Sequence, residues 1–158
     1  MRITPGTFGS RAVAVAVVVV AGLGLSGCSL INQLTGGGDD VFAIEVGDCL
    51  NDATTTGDEV TSVPIVPCDE PHDSEAFASV QMDDGEYPGD TAVSAEADEV
   101  CTAEFESFVG VPYEDSKYYY SYYAPTQGSW ENRGDREILC TVYDRDVKTT
   151  GSLRDAGE

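Results

Sequence analysis

The sequence predicts a small, disulfide-bonded α+β domain in which one main helix packs on a mostly antiparallel sheet. Three observations lead there. One segment carries apolar residues at helical spacing, and several others show the short alternating runs of strands. Beyond the N-terminal region the cysteines form an even set, Cys49, Cys68, Cys101 and Cys140. The 158 residues, less a removable N-terminal stretch, suffice for one modest core and not for two. With 41% hydrophobic residues, eight Tyr and five Phe, the composition is too apolar for wholesale disorder despite 29 Asp and Glu against 8 Lys and Arg. The same imbalance excludes a strong nucleic-acid binder, because phosphate contacts rest on clustered Lys and Arg.

The first element is an address. Arg2 and Arg11 flank a short polar start, and residues 12–25 are all apolar or Gly, the layout of a secretory signal. Such a run reaches only ~21 Å as a helix, short of a transmembrane span. It ends Leu25-Ser26-Gly27-Cys28, which resembles a bacterial lipobox whose Cys receives diacylglycerol before cleavage. Residues 1–27 are therefore expected to be a lipoprotein signal peptide and Cys28 the lipidated residue. Several acyl chains on one residue give stable anchoring where one would be marginal, so the expected location is extracytoplasmic, held to the membrane by lipid. Residues 29–40, with Gly36, Gly37 and Gly38, read as a flexible tether. The folded domain is expected over residues 41–154, with 155–158 as a tail.

The helix comes from Val93, Ala97, Val100, Cys101, Phe105 and Phe108, which recur on one stripe. Asp90 or Thr91 is expected to cap it, and Gly110 followed by Pro112 to end it. In residues 137–143, Ile138, Cys140 and Val142 share one face and Leu139, Thr141 and Tyr143 the other, as in a strand. Four cysteines allow three pairings. A buried helix stripe facing a strand face favours Cys101 with Cys140, which leaves Cys49 with Cys68 at the ends of two β-like runs, residues 41–46 and 60–66. Pro64 makes the second run an edge strand. Further strands are expected at 75–81, with Ala76, Ala78 and Val80 alternating against Phe77, and at 117–123. The polar stretch 144–158 is expected to pack only in part.

The motifs Gly47-Asp48-Cys49, Val66-Pro67-Cys68 with Pro71-His72 and Glu75, Cys101, Pro125-Thr126 with Trp130, Gly134-Asp135-Arg136 and Cys140 resemble the actinobacterial septum-formation family of exported proteins. The ending Thr150-Gly151-Ser152-Leu153-Arg154 is similar to the family's, and Asp155 departs from it where a small residue is expected. The resemblance covers residues 41–154, and its Cys-Xaa2-Pro-His-Xaa2-Glu element is the most specific part. It implies a role in the dividing envelope, and no enzymatic activity or ligand site goes with it.

The remaining motifs have bland readings that outweigh sharper ones. A hydrolytic triad would have to be built on His72, the one histidine; its neighbours Asp73 and Ser74 do not make the geometry that activates a nucleophile. His72 is instead expected in a turn after Pro71, bonded to Glu75 or to backbone. Zinc is not expected, for want of Cys-Xaa2-Cys spacing, and no cofactor is implied. The acidic runs 83–86 and 69–70 do not follow a calcium loop and read as solvated. Trp130 is expected to plug the core from a loop before the last strand. Tyr118, Tyr119, Tyr120, Tyr122 and Tyr123 are the candidate binding residues. In a strand, Tyr118, Tyr120 and Tyr122 share one face and Tyr119 and Tyr123 the other, so one set can be core while the other meets a partner. The expected function is a lipid-anchored, non-enzymatic interaction module of the envelope that engages an envelope protein or wall polymer. The alternative is an extracytoplasmic ligand-binding or sensor lipoprotein.

Overall fold

The computed structural model describes residues 38–54 and 60–158. The expected signal peptide, Cys28 and most of the tether lie outside the described residues. Within them the strands are β1 (Asp39–Asp40), β2 (Cys49–Leu50), β3 (Ser62–Val63), β4 (Ile65–Val66), β5 (Ser74–Gln81), β6 (Tyr119–Tyr123) and β7 (Glu137–Tyr143), and the α-helices are α1 (Asp90–Val109) and α2 (Gln127–Arg133). The order β4-β2-β5-β7-β6 forms one antiparallel sheet, and β1 pairs with β3 beside it. No helix among the described residues is long and apolar enough to cross a membrane.

Strand alternation divides the core in two. Ile138, Cys140 and Val142 of β7 face α1, where Val93, Ala97, Cys101, Phe105 and Phe108 form the opposing stripe. The stripe expected from spacing is thus the buried one, with Val100 packed at its margin. The other sheet face presents Leu50, Ala76 and Leu139 to Ile44 and Val63. Covering both faces of one sheet buries β2 fully and most of β5 and β7, as their burial patterns show.

Both disulfides pair as expected. Cys101 of α1 joins Cys140 of β7, and Cys49 of β2 joins Cys68. Each closes across the helix-side face of the sheet, because Cys49 and Cys140 both point there.

Several local expectations are corrected. The N-cap of α1 is Gly89, at φ 93° and with no side-chain bond, and not Asp90 or Thr91. Asp90 opens the first turn, where its carboxylate suits the positive end of the helix dipole and accepts from Tyr87 Oη at 2.5 Å. Gly110 closes the helix in the left-handed conformation that favours Gly, as expected. Residues 41–46 are not a strand: 41–43 form a 3₁₀ turn capped by Asp40, and pairing falls instead on Asp39–Asp40, which were expected in the tether. Gly38 leads into this arm so close to β3 that a Cβ would sit 2.9 Å from the Val63 backbone. In β5 a bulge interrupts the alternation between Ala76 and Ala78. The extra residue is Phe77, which therefore joins Ala78 on the helix side and meets Phe105 and Phe108 at ring distances of 5.9 and 5.8 Å.

The C-terminal stretch packs more fully than its polarity implied. Thr149 pairs with His72, the Gly151 N–H donates to the Cys68 carbonyl, and Leu153 is buried in the helix-side core. Farther on, the Asp155 and Gly157 N–H groups donate to the carbonyls of Phe108 and Val109. These are orphan acceptors at the end of α1, and the tail satisfies them. Asp155 sits at φ 56° with its side chain exposed. Asp tolerates that left-handed backbone better than most residues, so it is accommodated there.

Candidate functional site

The Pro71-His72-Xaa2-Glu75 element is a structural clamp. Pro71 follows the turn closed by Glu70 N–H on the Pro67 carbonyl, and it stays exposed. His72 is fully buried, with Nδ1 2.9 Å from the Glu70 carbonyl, so Nδ1 carries the proton and donates. Its backbone exchanges two hydrogen bonds with Thr149. Of the two partners foreseen for His72, the structure chooses backbone; Glu75 is otherwise engaged. The Glu75 carboxylate, 2% exposed, accepts from Ser152 Oγ at 2.6 Å and from Leu153 N–H at 2.7 Å. Cys49, Cys68 and Glu75 converge within 4.8 Å. The two sulfurs are bonded to each other, however, and a disulfide offers no thiolate to a metal.

Trp130 also plugs the core, but from a helix and not a loop. The helix α2 is started by a reciprocal capping box between Thr126 and Ser129 and ended by Gly134. The spacing Thr126-Xaa2-Ser129 lacks the usual Glu or Gln, which is why it escaped sequence reading. Indole Nε1 donates to the Gly85 carbonyl at 2.9 Å, and the Arg136 guanidinium lies 3.6 Å from the ring. Arg136 also faces Asp84 at 3.3 Å, so one carboxylate of the 83–86 run is spent on an ion pair.

The tyrosine strand β6 lies at the sheet edge, and its alternation is as read. Tyr118 is buried in the helix-side core, with Tyr120 and Tyr122 packed against it. Tyr120 Oη accepts from Thr102 Oγ1, and its ring meets Tyr113 at 4.7 Å. On the other face, Tyr119 lies under the Arg145 guanidinium at 3.5 Å and beside Tyr143. Tyr123 packs with the second core and donates to Asp52 at 3.0 Å. Burial first, and then the Asp52 charge and hydrogen bond, push the Tyr123 phenol well above its ordinary range. Burial and Asp90 likewise push Tyr87 up to about 12.

Two concave surfaces flank this strand. The first is a groove of about 490 Å³, where the strand end Tyr122 and Tyr123, the arm residues Val41 and Phe42, Val60 and the α2 residue Asn132 come together. Arg133 of α2 holds the arm by lying 3.8 Å from the Phe42 ring and 3.7 Å from Asp40. Phe42 remains 39% exposed, an aromatic edge presented at the groove. Asp90, Asp135 and Glu137 make its charged border predominantly negative. The arm went unseen in the sequence because its two-residue strand is too short to carry a period.

The second, of about 480 Å³, lies on the sheet face opposite α1, on the other side of Tyr123. Ser74, Ser121 and Thr141 line it from the sheet, with Tyr143 and Asp52 beside them. Asp52 Oδ2 accepts from Ser74 Oγ at 2.8 Å as well as from Tyr123. Lys148 closes one end by bonding Asn51 at 2.5 Å and Asp73 at 2.8 Å.

No curated protein and no solved structure matches the chain at a significant level. A family model described as septum formation does match, over residues 46–157, which takes in both disulfides, the His72 and Glu75 clamp, the tyrosine strand and the C-terminal segment that caps α1. By that match the chain belongs to the septum-formation family.

Proposed function

We propose that this chain is a lipid-anchored, extracytoplasmic interaction module that serves septum formation and turns over no substrate. The family match over residues 46–157 carries the septal part of this reading. Two disulfides support the location, since such bonds persist outside the reducing cytoplasm. The Cys28 lipobox motif supplies the anchor. The non-enzymatic reading draws on where the reactive side chains lie: His72 is fully buried with Nδ1 bonded to the Glu70 carbonyl, and four of five cysteines are paired. The groove beside Phe42, Tyr122 and Tyr123 is the docking face. An apolar and aromatic floor with a negative border suits a segment of an envelope protein that brings an apolar anchor and a basic residue.

A second reading, an extracytoplasmic ligand-binding lipoprotein, is favoured by the polar cavity on the other sheet face. The experiment that tests the first is localisation of a C-terminally tagged chain in dividing cells, with membrane fractionation beside it. The tagged chain is expected in the membrane fraction and concentrated at the septum, and Cys28→Ser is expected to release it. Even distribution around the envelope would remove the septal role, and unchanged membrane retention of Cys28→Ser would remove the lipid anchor.

A further inference from the structure

We infer that the cavity lined by Ser74, Thr141 and Tyr143 is a binding site for a neutral saccharide. This deepens the ligand-binding reading by naming the ligand class, and it is independent of the groove, with which the cavity shares no lining residue.

The volume, about 480 Å³, falls in the range of small-molecule sites, and the lining decides the chemistry. A strand face that is buried without function is expected to be apolar, yet here Ser74 and Thr141 are 3% and 1% exposed and sit on the interior strands β5 and β7. Thr141 Oγ1 has no hydrogen-bond partner among the described residues, although it borders open space. A hydroxyl that borders the cavity without a protein partner is free to bond a ligand there. Asp52 spends Oδ2 on Ser74 and Tyr123, and its Oδ1 accepts nothing among the described residues. The neighbouring ring of Tyr143 is half-buried and lies beside Tyr119, while the Arg145 guanidinium covers Tyr119 and not Tyr143.

A sugar ring matches all three features. Adjacent hydroxyls donate to a carboxylate and exchange bonds with Ser and Thr, and the C–H face lies on an aromatic ring. Other classes fit less well. The lining holds four carboxylates, Asp52, Asp73, Asp144 and Asp146, against Arg145 and Lys148, so an anion is repelled. Lys148 is already spent on Asp73, and among the described residues the remaining carboxylates of this cavity do not form a group of three close enough to hold a divalent cation.

The test titrates the full chain, purified in detergent, with chitotetraose, cellotetraose and maltotetraose, and with inorganic phosphate and Ca²⁺ alone, by isotope-edited NMR and calorimetry. At least one oligosaccharide is expected to bind saturably and to shift the amides of β7. Thr141→Val, Tyr143→Leu and Asp52→Asn are each expected to weaken it about tenfold. Thr141→Val keeps the shape and removes no bond within the protein, so its melting temperature is expected to stay unchanged. Failure of every oligosaccharide to bind overturns the inference. So does binding that ignores Thr141→Val and Tyr143→Leu, or phosphate or Ca²⁺ occupying the cavity more tightly than any sugar. None of these results alters septal localisation or membrane retention, so this inference and the septal reading fail separately.

Discussion

Glu75 shows how one residue can hold a distant segment. Its buried carboxylate on β5 fastens Ser152 and Leu153, so Glu75→Ala strands the Leu153 N–H without an acceptor. A loss of about 1–3 kcal/mol is expected, read by chemical denaturation, together with faster proteolytic trimming of the C-terminus. Glu75→Gln keeps one acceptor oxygen and is expected to fall between wild type and Glu75→Ala. Stability equal to wild type in both variants would show that the clamp holds nothing. A second residue, Tyr123, makes the fold sensitive to alkali. Burial beside Asp52 raises its pKa in the folded chain above the ordinary 10.0. Its contribution is therefore complete below pH 10.0 and drains away as pH rises above it. Tyr87, raised from 10.0 to about 12, adds the same sign of slope over that interval. Thermal melting across this alkaline range is expected to fall more steeply for wild type than for Tyr123→Phe. Identical slopes would mean that Tyr123 is not linked to folding.

At the scale of elements, the two disulfides restrain loops of different length. Sequence separations of 19 and 39 residues correspond to about 3 and about 4 kcal/mol of chain entropy. Replacing Cys101 and Cys140 together by Ser is thus expected to lower urea stability more than replacing Cys49 and Cys68. The reverse order would mean that strain or residual structure outweighs loop closure. The C-terminal segment is an element too, although it has no regular structure. Removing residues 152–158 exposes the site of buried Leu153 and frees the carbonyls of Phe108 and Val109. A loss on the order of 3 kcal/mol or more is expected, again read in urea. Periodicity made α1, β7 and β6 legible, since each is long enough for one buried face to repeat. It also gave the cysteine pairing, because a helix stripe facing a strand face leaves few choices. What stayed hidden had no repeat to read. The β1 and β3 arm is two residues long, the bulge at Phe77 breaks the period it sits in, and the capping box of α2 uses Ser where Glu is usual. The same limit applied to the sites: the tyrosines were visible as a cluster, but the groove and cavity on either side of Tyr123 depend on loops that only the fold brings together.

As a whole molecule, the chain carries a formal net charge of −21 and is expected to be repelled by an anionic leaflet. Under the proposed anchoring at Cys28, the lipid would hold near the membrane a domain that its own charge pushes away, and the arm at Asp39–Asp40 is the first paired strand among the described residues. The groove borders that arm through Val41 and Phe42, so the proposed docking face would lie toward the proposed lipid anchor. The negative border favours a basic partner and predicts capture that weakens as salt is raised. The most direct measurement is photocrosslinking in dividing cells from a reactive residue at Phe42 or Asn132 in the groove, with the exposed position Val147 as control. The same septal envelope protein is expected from both groove positions, absent from Val147 and lost with Cys28→Ser. Equal capture from Val147, or no common partner from Phe42 and Asn132, would contradict an interaction module that docks through the groove.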